Sequence, residues 1–228
     1  MHLQPAFYDI KSPQPTSVFG NSILLFRLFG FFRLEITAIP KIDLGVIIGS
    51  YSDTTFKKMK DTMNVLVDNY GTKDARYSLI TSGSEATTII DFADDYKNTK
   101  GFKNALAIVQ RPEGTPDLKK ALDLAQVAFE KAPPQLGAKK ILVVFIDQRS
   151  VNYPQVLTTS GERLHKAGVV VVPVAVGSLA DVGELTRLAP SKGVVIEVKS
   201  EEGADAIAQK IMSGAVQGEC SHYFLSLN

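Results

Sequence analysis

Ser50, Ser52, Thr115 and Asp147 are the residues whose types and placement could do chemistry. Two hydroxyls one residue apart, a threonine and a carboxylate are hard oxygen donors, of the kind that hold Mg²⁺, Mn²⁺ or Ca²⁺. Ser50 and Ser52 close the stretch Asp43-Leu-Gly-Val-Ile-Ile-Gly-Ser-Tyr-Ser52, an apolar run that ends in a small-residue turn. Asp147 ends the apolar run Ile141-Leu-Val-Val-Phe-Ile, and Thr115 and Asp117 follow the Gly114 turn. In an open α/β sheet, ligands sit outside the carboxyl ends of the strands, where such turns lie. Each residue also has a plainer role. The serines and Thr115 suit helix caps, and Asp147 suits the backbone N–H groups of its own loop.

Other chemistries find less support. Gly49-Ser-Tyr-Ser52 lacks the glycines and the lysine of a phosphate-cradling loop. His2 and His222 lie in the extensions, and His165 falls late in a helical stretch, so no nucleophile has a base beside it. Enzymatic function is therefore not expected. A single cysteine, Cys220, excludes a cysteine-ligated metal and an internal disulfide. The formal net charge of +1 gives no general electrostatic reason to bind nucleic acid or an anionic membrane. Residues 18–39 are rich in Phe, Leu and Ile, but Arg27 and Arg33 interrupt them, leaving runs far short of the roughly 20 residues that span a bilayer. For a secretory leader, residues 1–16 supply no basic start and the apolar part begins late. Residues 1–40 read as an N-terminal extension, 41–213 as one domain and 214–228 as a tail.

The elements that must position the four oxygen donors alternate regularly. Residues 42–49 form a continuous apolar run, the mark of a strand buried on both faces. A helix over 53–69 follows, with Phe56, Met59, Met63, Leu66 and Val67 at helical spacing. Strands at 75–81 and 86–92 flank Ser82-Gly83-Ser84 and read as a hairpin. A short helix covers 99–109. A second helix follows the Gly114 loop, with Thr115 as N-cap and Pro116 at its first position. Strands at 141–146, 169–176 and 194–198 alternate with helices at 154–166, around 179–188 and at 201–212. This predicts an α/β fold: a doubly wound, mostly parallel six-stranded sheet with one antiparallel edge strand and helices on both faces. The loops holding Ser50, Thr115 and Asp147 can then meet at one end of the sheet.

The chain from about residue 41 to 213 resembles a von Willebrand factor type A domain, a Rossmann-like fold. The resemblance rests on Asp43-Leu-Gly-Val-Ile-Ile-Gly-Ser-Tyr-Ser52, Gly114-Thr-Pro-Asp-Leu-Lys-Lys-Ala-Leu122, Ile141-Leu-Val-Val-Phe-Ile-Asp-Gln-Arg-Ser150 and Gly168-Val-Val-Val-Val-Pro-Val-Ala-Val-Gly177. The family builds a metal-ion-dependent adhesion site on an Asp-x-Ser-x-Ser turn, a threonine and a later aspartate. The resemblance places Ser50 and Ser52 on the two serines and Asp147 on the later aspartate. Thr115 lies near the threonine position, although strict spacing puts Leu118 there. Ile48 stands where the first aspartate belongs, so the site is degenerate: a bound cation would keep about one uncompensated positive charge. Asp53 or Asp117 could compensate.

The resemblance implies a non-enzymatic protein-binding or adhesion module of the matrilin- or collagen-like extracellular matrix type. Its divalent-metal dependence would be weak or lost, with Mg²⁺ or Ca²⁺ the candidate ions. Its partners would be matrix or cell-surface proteins, collagen-like ligands among them, with no nucleic acid and no membrane span. Matrix relatives carry a cysteine just after the last helix that pairs with one just before the first strand. Cys220 fits the first position and no cysteine precedes Asp43. The expected location is secreted, in the matrix. The alternative is an intracellular assembly module, which the lone cysteine and the lack of any Asn-x-Ser/Thr leave open.

Overall fold

The computed structural model describes residues 41–94, 96, 98–189 and 195–223, with side chains through residue 215. The expected extension at 1–40 lies outside the described residues. The strands are β1 (Ile42–Gly49), β2 (Ala75–Ser82), β3 (Ala86–Ile90), β4 (Lys139–Ile146), β5 (Val169–Val176) and β6 (Ile196–Val198). The helices are α1 (Asp53–Tyr70), α2 (Thr99–Ala107), α3 (Leu118–Lys131), α4 (Pro154–Lys166), α5 (Val182–Thr186) and α6 (Ala204–Tyr223). One six-stranded sheet has the order β3-β2-β1-β4-β5-β6. All neighbouring strands run parallel except β2 and β3, whose antiparallel hairpin puts β3 on the edge. This is the mixed, doubly wound α/β sheet expected from the pattern.

Every residue of β1 is buried, because helices cover both faces of the sheet. Alternate side chains of β1 enter different cores. Val46 and Ile48 pack with Phe56, Met63 and Leu66 of α1, Phe102 of α2, and Ile207 and Ile211 of α6. Ile47 packs with Leu118, Ala125 and Phe129 of α3, Leu157 of α4 and Leu185 of α5. The continuous apolar run is thus two interleaved apolar faces. At the lower end, Asp43 is 2% exposed, and Arg76 stands opposite it on β2. Arg76 Nε and Nη2 each donate to one carboxylate oxygen at 2.8 Å, a two-pronged pair that neutralises the buried charge.

Among the boundaries that differ from the sequence expectation, three have clear causes. The cap of α3 is Asp117, whose side chain accepts from Lys120 N, so the helix starts at Leu118 rather than at Pro116. The carboxylate outcompetes Thr115 as cap because it also favours the positive helix end. Leu179 is not a core residue: Asp181 caps α5, the helix starts at Val182, and Leu179 is left 69% exposed in the preceding turn. The final helix runs to Tyr223, past the expected end at Met212. No proline interrupts residues 213–223, and the buried stripe of Ile207, Ala208 and Ile211 continues to Ala215. Cys220 therefore lies within α6, not just after it.

Candidate functional site

β1 and β4 are neighbours in register, Gly49 beside Ile146, so the turn after β1 and Asp147 after β4 emerge side by side. Asp147 is 6% exposed. Its Oδ1 accepts from Tyr51 N at 2.8 Å, and its Oδ2 lies 3.4 Å from Ser52 N. Successive N–H groups aimed at one carboxylate form an anion-binding nest. The Ser50 hydroxyl lies 2.7 Å from Asp147 Oδ2 and 2.9 Å from the Ser52 carbonyl oxygen, so its single proton serves one or both. Ser52 is the N-cap of α1. Its Oγ accepts from Thr55 N at 3.1 Å and lies 2.8 Å from Thr55 Oγ1. The Asp147 charge thus rests at the positive end of α1, a placement the helix dipole favours.

The third loop is fixed mostly by backbone. Ser84 N donates to Glu113 O and Asp117 N donates to Gly83 O, both at 2.9 Å, clasping the β2–β3 turn to the segment before α3. The approach is so close that a Cβ on Gly83 would lie 2.1 Å from Glu113 O. Pro116 packs under the turn, where a Cβ on Gly49 would meet its ring carbons at 3.1 Å. Pro116 O accepts from Val151 N at 3.1 Å, tying this loop to the one after β4. Asn152 bridges further: its Nδ2 donates to Asp117 Oδ1 at 2.9 Å, and its Oδ1 accepts from Lys119 N at 3.0 Å. Partial burial opposes the Asp117 charge. The Asn152 and Lys120 N–H bonds and the Lys120 ammonium outweigh it and hold the Asp117 carboxyl below its usual range.

Of the four predicted donors, the fold joins Ser50 and Asp147 directly and brings Ser52 to the same carboxylate through its N–H. Thr115 lies on the adjacent loop with its side chain exposed, and that side chain makes no hydrogen bond among the described residues. Asp53 pairs outward with Arg111 Nε at 2.6 Å and Asp117 caps α3, so both carboxylates suggested as compensation are engaged elsewhere. Ile48 is wholly buried in the core beneath α1. Among the described residues, no group of three or more His, Cys, Asp or Glu is placed to hold a metal. One carboxylate with both oxygens already engaged, and hydroxyls serving as donor and cap, fit poorly to the near-octahedral oxygen shell that Mg²⁺ demands.

Sequence reasoning missed the exposed apolar side chains around this nest. Tyr51 is 67% exposed and Tyr153 78% exposed, with Val151 and Leu179 also exposed on the loops after β4 and β5. It also missed Glu184, buried on α5, which accepts from Ser150 N at 3.1 Å and from the Ser150 hydroxyl. A glutamate at helical spacing between apolar residues was the only available signal. A broader cleft of about 600 Å³ lies between α1 and the end of α2, lined by Phe56, Lys60, Asn64 and Arg111 among others. There Lys60 Nζ donates to the Ala107 and Val109 carbonyls at 3.1 Å.

The fold is a doubly wound α/β sheet whose β1–α1 turn is tied to the end of β4 through one carboxylate. The von Willebrand factor type A domain profile matches residues 48–210, and the chain belongs to that family. Domains of this family generally act as protein-interaction modules. The fold is similar to that of proximal thread matrix protein 1 from the mussel byssus, at 16% identity and a TM-score of 0.66, covering 77% of this chain and 47% of that one. The chain thus spans about half the length of the mussel protein. Another structure of that protein has a zinc-occupied MIDAS motif (20% identity, TM-score 0.63, 77% and 45% covered). Manganese-loaded TRAP of Plasmodium vivax matches at 12% identity and a TM-score of 0.62, covering 77% of this chain and 74% of that one. The SpRpn10 VWA domain matches at 15% identity and a TM-score of 0.55, covering 75% and 95%. At these identities the likeness is one of fold. Among the described residues, no helix is long and apolar enough to cross a membrane.

Proposed function

We propose that this domain is a non-enzymatic protein-binding module. Its contact face is the set of loops at the carboxyl end of the sheet, held in shape by hydrogen bonds, those to Asp147 among them, and not by a divalent cation. The observation that carries this reading is the Asp147 carboxylate itself, engaged by Tyr51 N, Ser52 N and the Ser50 hydroxyl. A fixed turn holds Tyr51 outward at low entropic cost, and exposed tyrosines are frequent anchors of protein interfaces. Fold likeness to the byssus matrix protein and to TRAP supports an adhesive role in an extracellular matrix, with matrix or cell-surface proteins as partners. Fold likeness to Rpn10 supports the second reading, an intracellular assembly module.

Cross-linked capture from matrix extract and from cytosol tests both parts. The same partners are expected in EDTA as in Mg²⁺, with loss in Tyr51→Ser/Tyr153→Ser, and the extract that yields them decides the setting. Capture that requires Mg²⁺, or that survives the double substitution, defeats the reading.

A further inference from the structure

The segment from Ser150 to Tyr153 makes no hydrogen bond to Asp147, yet its backbone is fixed. Ser150 N donates to Glu184 Oε2 at 3.1 Å, Val151 N to Pro116 O at 3.1 Å, and Asn152 N to the Ser150 hydroxyl oxygen at 3.2 Å. The Ser150 hydroxyl in turn donates to Glu184 Oε1. The Tyr153 carbonyl accepts from Val156 N at 3.0 Å as α4 begins. On this fixed backbone the side chains of Val151 and Tyr153 stand 59% and 78% exposed.

The segment converges on Glu184. This residue sits on α5, 8% exposed, and both its carboxylate oxygens accept from Ser150, itself 7% exposed. A buried carboxylate is costly unless its oxygens are satisfied, and here one loop residue satisfies both. The helix beneath is anchored in turn. Glu184 N donates to Asp181 Oδ1 at 3.0 Å, and a Cβ on Gly161 of α4 would lie 2.9 Å from Leu188 O, just beyond α5. The arrangement repeats that of Asp147 one strand further along the sheet. In the order β1-β4-β5, the carboxylate at the end of β4 holds the turn after β1, and the carboxylate that follows β5 holds the loop after β4.

The structure assigns Glu184 as the positioning residue for the half of the contact face that carries Val151 and Tyr153. Its hydrogen bonds to Ser150 fix the loop before a partner arrives, so Tyr153 meets that partner with little ordering cost. Asp147 serves Tyr51 in the same way, and the two carboxylates act on separate halves. This inference rests on the proposed contact face and adds the residue that shapes its second half. Hydrogen bonding rather than charge is the feature required. A glutamine amide at this position can accept from Ser150 N and donate to the Ser150 hydroxyl oxygen, so Glu184→Gln should retain much of the effect and Glu184→Ala should not.

Two readouts test this on Glu184→Ala, Glu184→Gln and Ser150→Ala, with circular dichroism confirming the fold of each. Ser150→Ala breaks the same clamp from the loop side and serves where Glu184→Ala does not fold. The first readout needs no partner. Arg149 keeps 74% of its side chain exposed, and the peptide bond that trypsin cuts after it carries the N–H that Ser150 gives to Glu184. Cleavage there should be about tenfold faster in Glu184→Ala, clearly faster in Ser150→Ala, and near the parent's rate in Glu184→Gln, with cleavage after Lys199 unchanged. No rise after Arg149, or an equal rise after Lys199, would overturn the assignment. The second readout uses peptides selected from a random phage library on the folded parent and titrated by fluorescence anisotropy. Peptides that weaken on Tyr153→Ser should weaken about tenfold on Glu184→Ala, with little further loss in Glu184→Ala/Tyr153→Ser. Peptides that weaken only on Tyr51→Ser should bind Glu184→Ala as they bind the parent. Equal loss for both kinds, Tyr153-dependent peptides indifferent to Glu184→Ala, or peptides dependent on Tyr51 alone would each overturn the assignment and leave the contact face standing. A library that yields no peptide dependent on either tyrosine would overturn both.

Discussion

Asp147→Ala removes the acceptor that ties the β1–α1 turn to the end of β4. Two of its hydrogen bonds are short, 2.7 Å from the Ser50 hydroxyl and 2.8 Å from Tyr51 N, and the 3.4 Å approach of Ser52 N adds little. Hydrogen bonds to a charged group contribute about 1.5–3 kcal/mol each. Part of that is recovered, because the Ser50 hydroxyl can turn fully to the Ser52 carbonyl, already at 2.9 Å. Tyr51 is exposed, so water can reach its freed N–H. The net loss should be about 2–3 kcal/mol. With a urea dependence of roughly 2 kcal/mol per M for a domain of this size, the unfolding midpoint should fall by about 1–1.5 M. Asp147→Asn retains one acceptor oxygen and should fall about half as far. Urea unfolding followed by far-ultraviolet circular dichroism reads both, and Mg²⁺ should leave all three midpoints unchanged. A shift of less than about 0.2 M for Asp147→Ala, with the parent's dependence on urea preserved, would refute the carboxylate as organiser of the loops.

Four further outcomes follow from the packing. Arg76→Ala strands the buried Asp43 charge and should cost about 3 kcal/mol by the same urea assay, whereas an exposed pair such as Lys57 with Asp61 should cost under about 1 kcal/mol when broken. Gly83→Ala drives a methyl into the Glu113 carbonyl and should lower stability by about 1–3 kcal/mol, with slower-exchanging amides lost at Ser84 and Asp117 in hydrogen exchange. Ser78→Ala should be neutral or stabilising, because its hydroxyl is buried without a hydrogen-bond partner; a loss above about 1 kcal/mol would show a bond that the geometry lacks. Asp117 has a depressed folded pKa, so it contributes stability above the ordinary carboxylate value of about 4 that is lost as pH falls through the folded value. Asp117→Asn should therefore flatten the acid side of the stability–pH curve and leave its slope near pH 7 unchanged.

The fold was legible because its signals repeat. The apolar run of β1, the helical stripe of α1 and the Ser82-Gly83-Ser84 turn each encode their element locally, and their alternation leaves little choice of topology. The placement of the four oxygen donors was legible in part. Ser50, Ser52 and Asp147 were recognisable because each ends a buried run, and strand register then brings them together. Thr115 misled because a hydroxyl residue before proline looks like a cap, while the Asp117 carboxylate two positions on takes that role. Leu179 misled because its spacing from Val182 continues a helical stripe that Asp181 cuts off.

Isothermal titration of the folded chain with Mg²⁺, Mn²⁺ and Ca²⁺, each repeated on Asp147→Ala, tests the metal-independent contact face most directly. Heats equal to dilution are expected for every ion in both proteins. A saturable one-site isotherm for any of the three ions, abolished in Asp147→Ala, would contradict it.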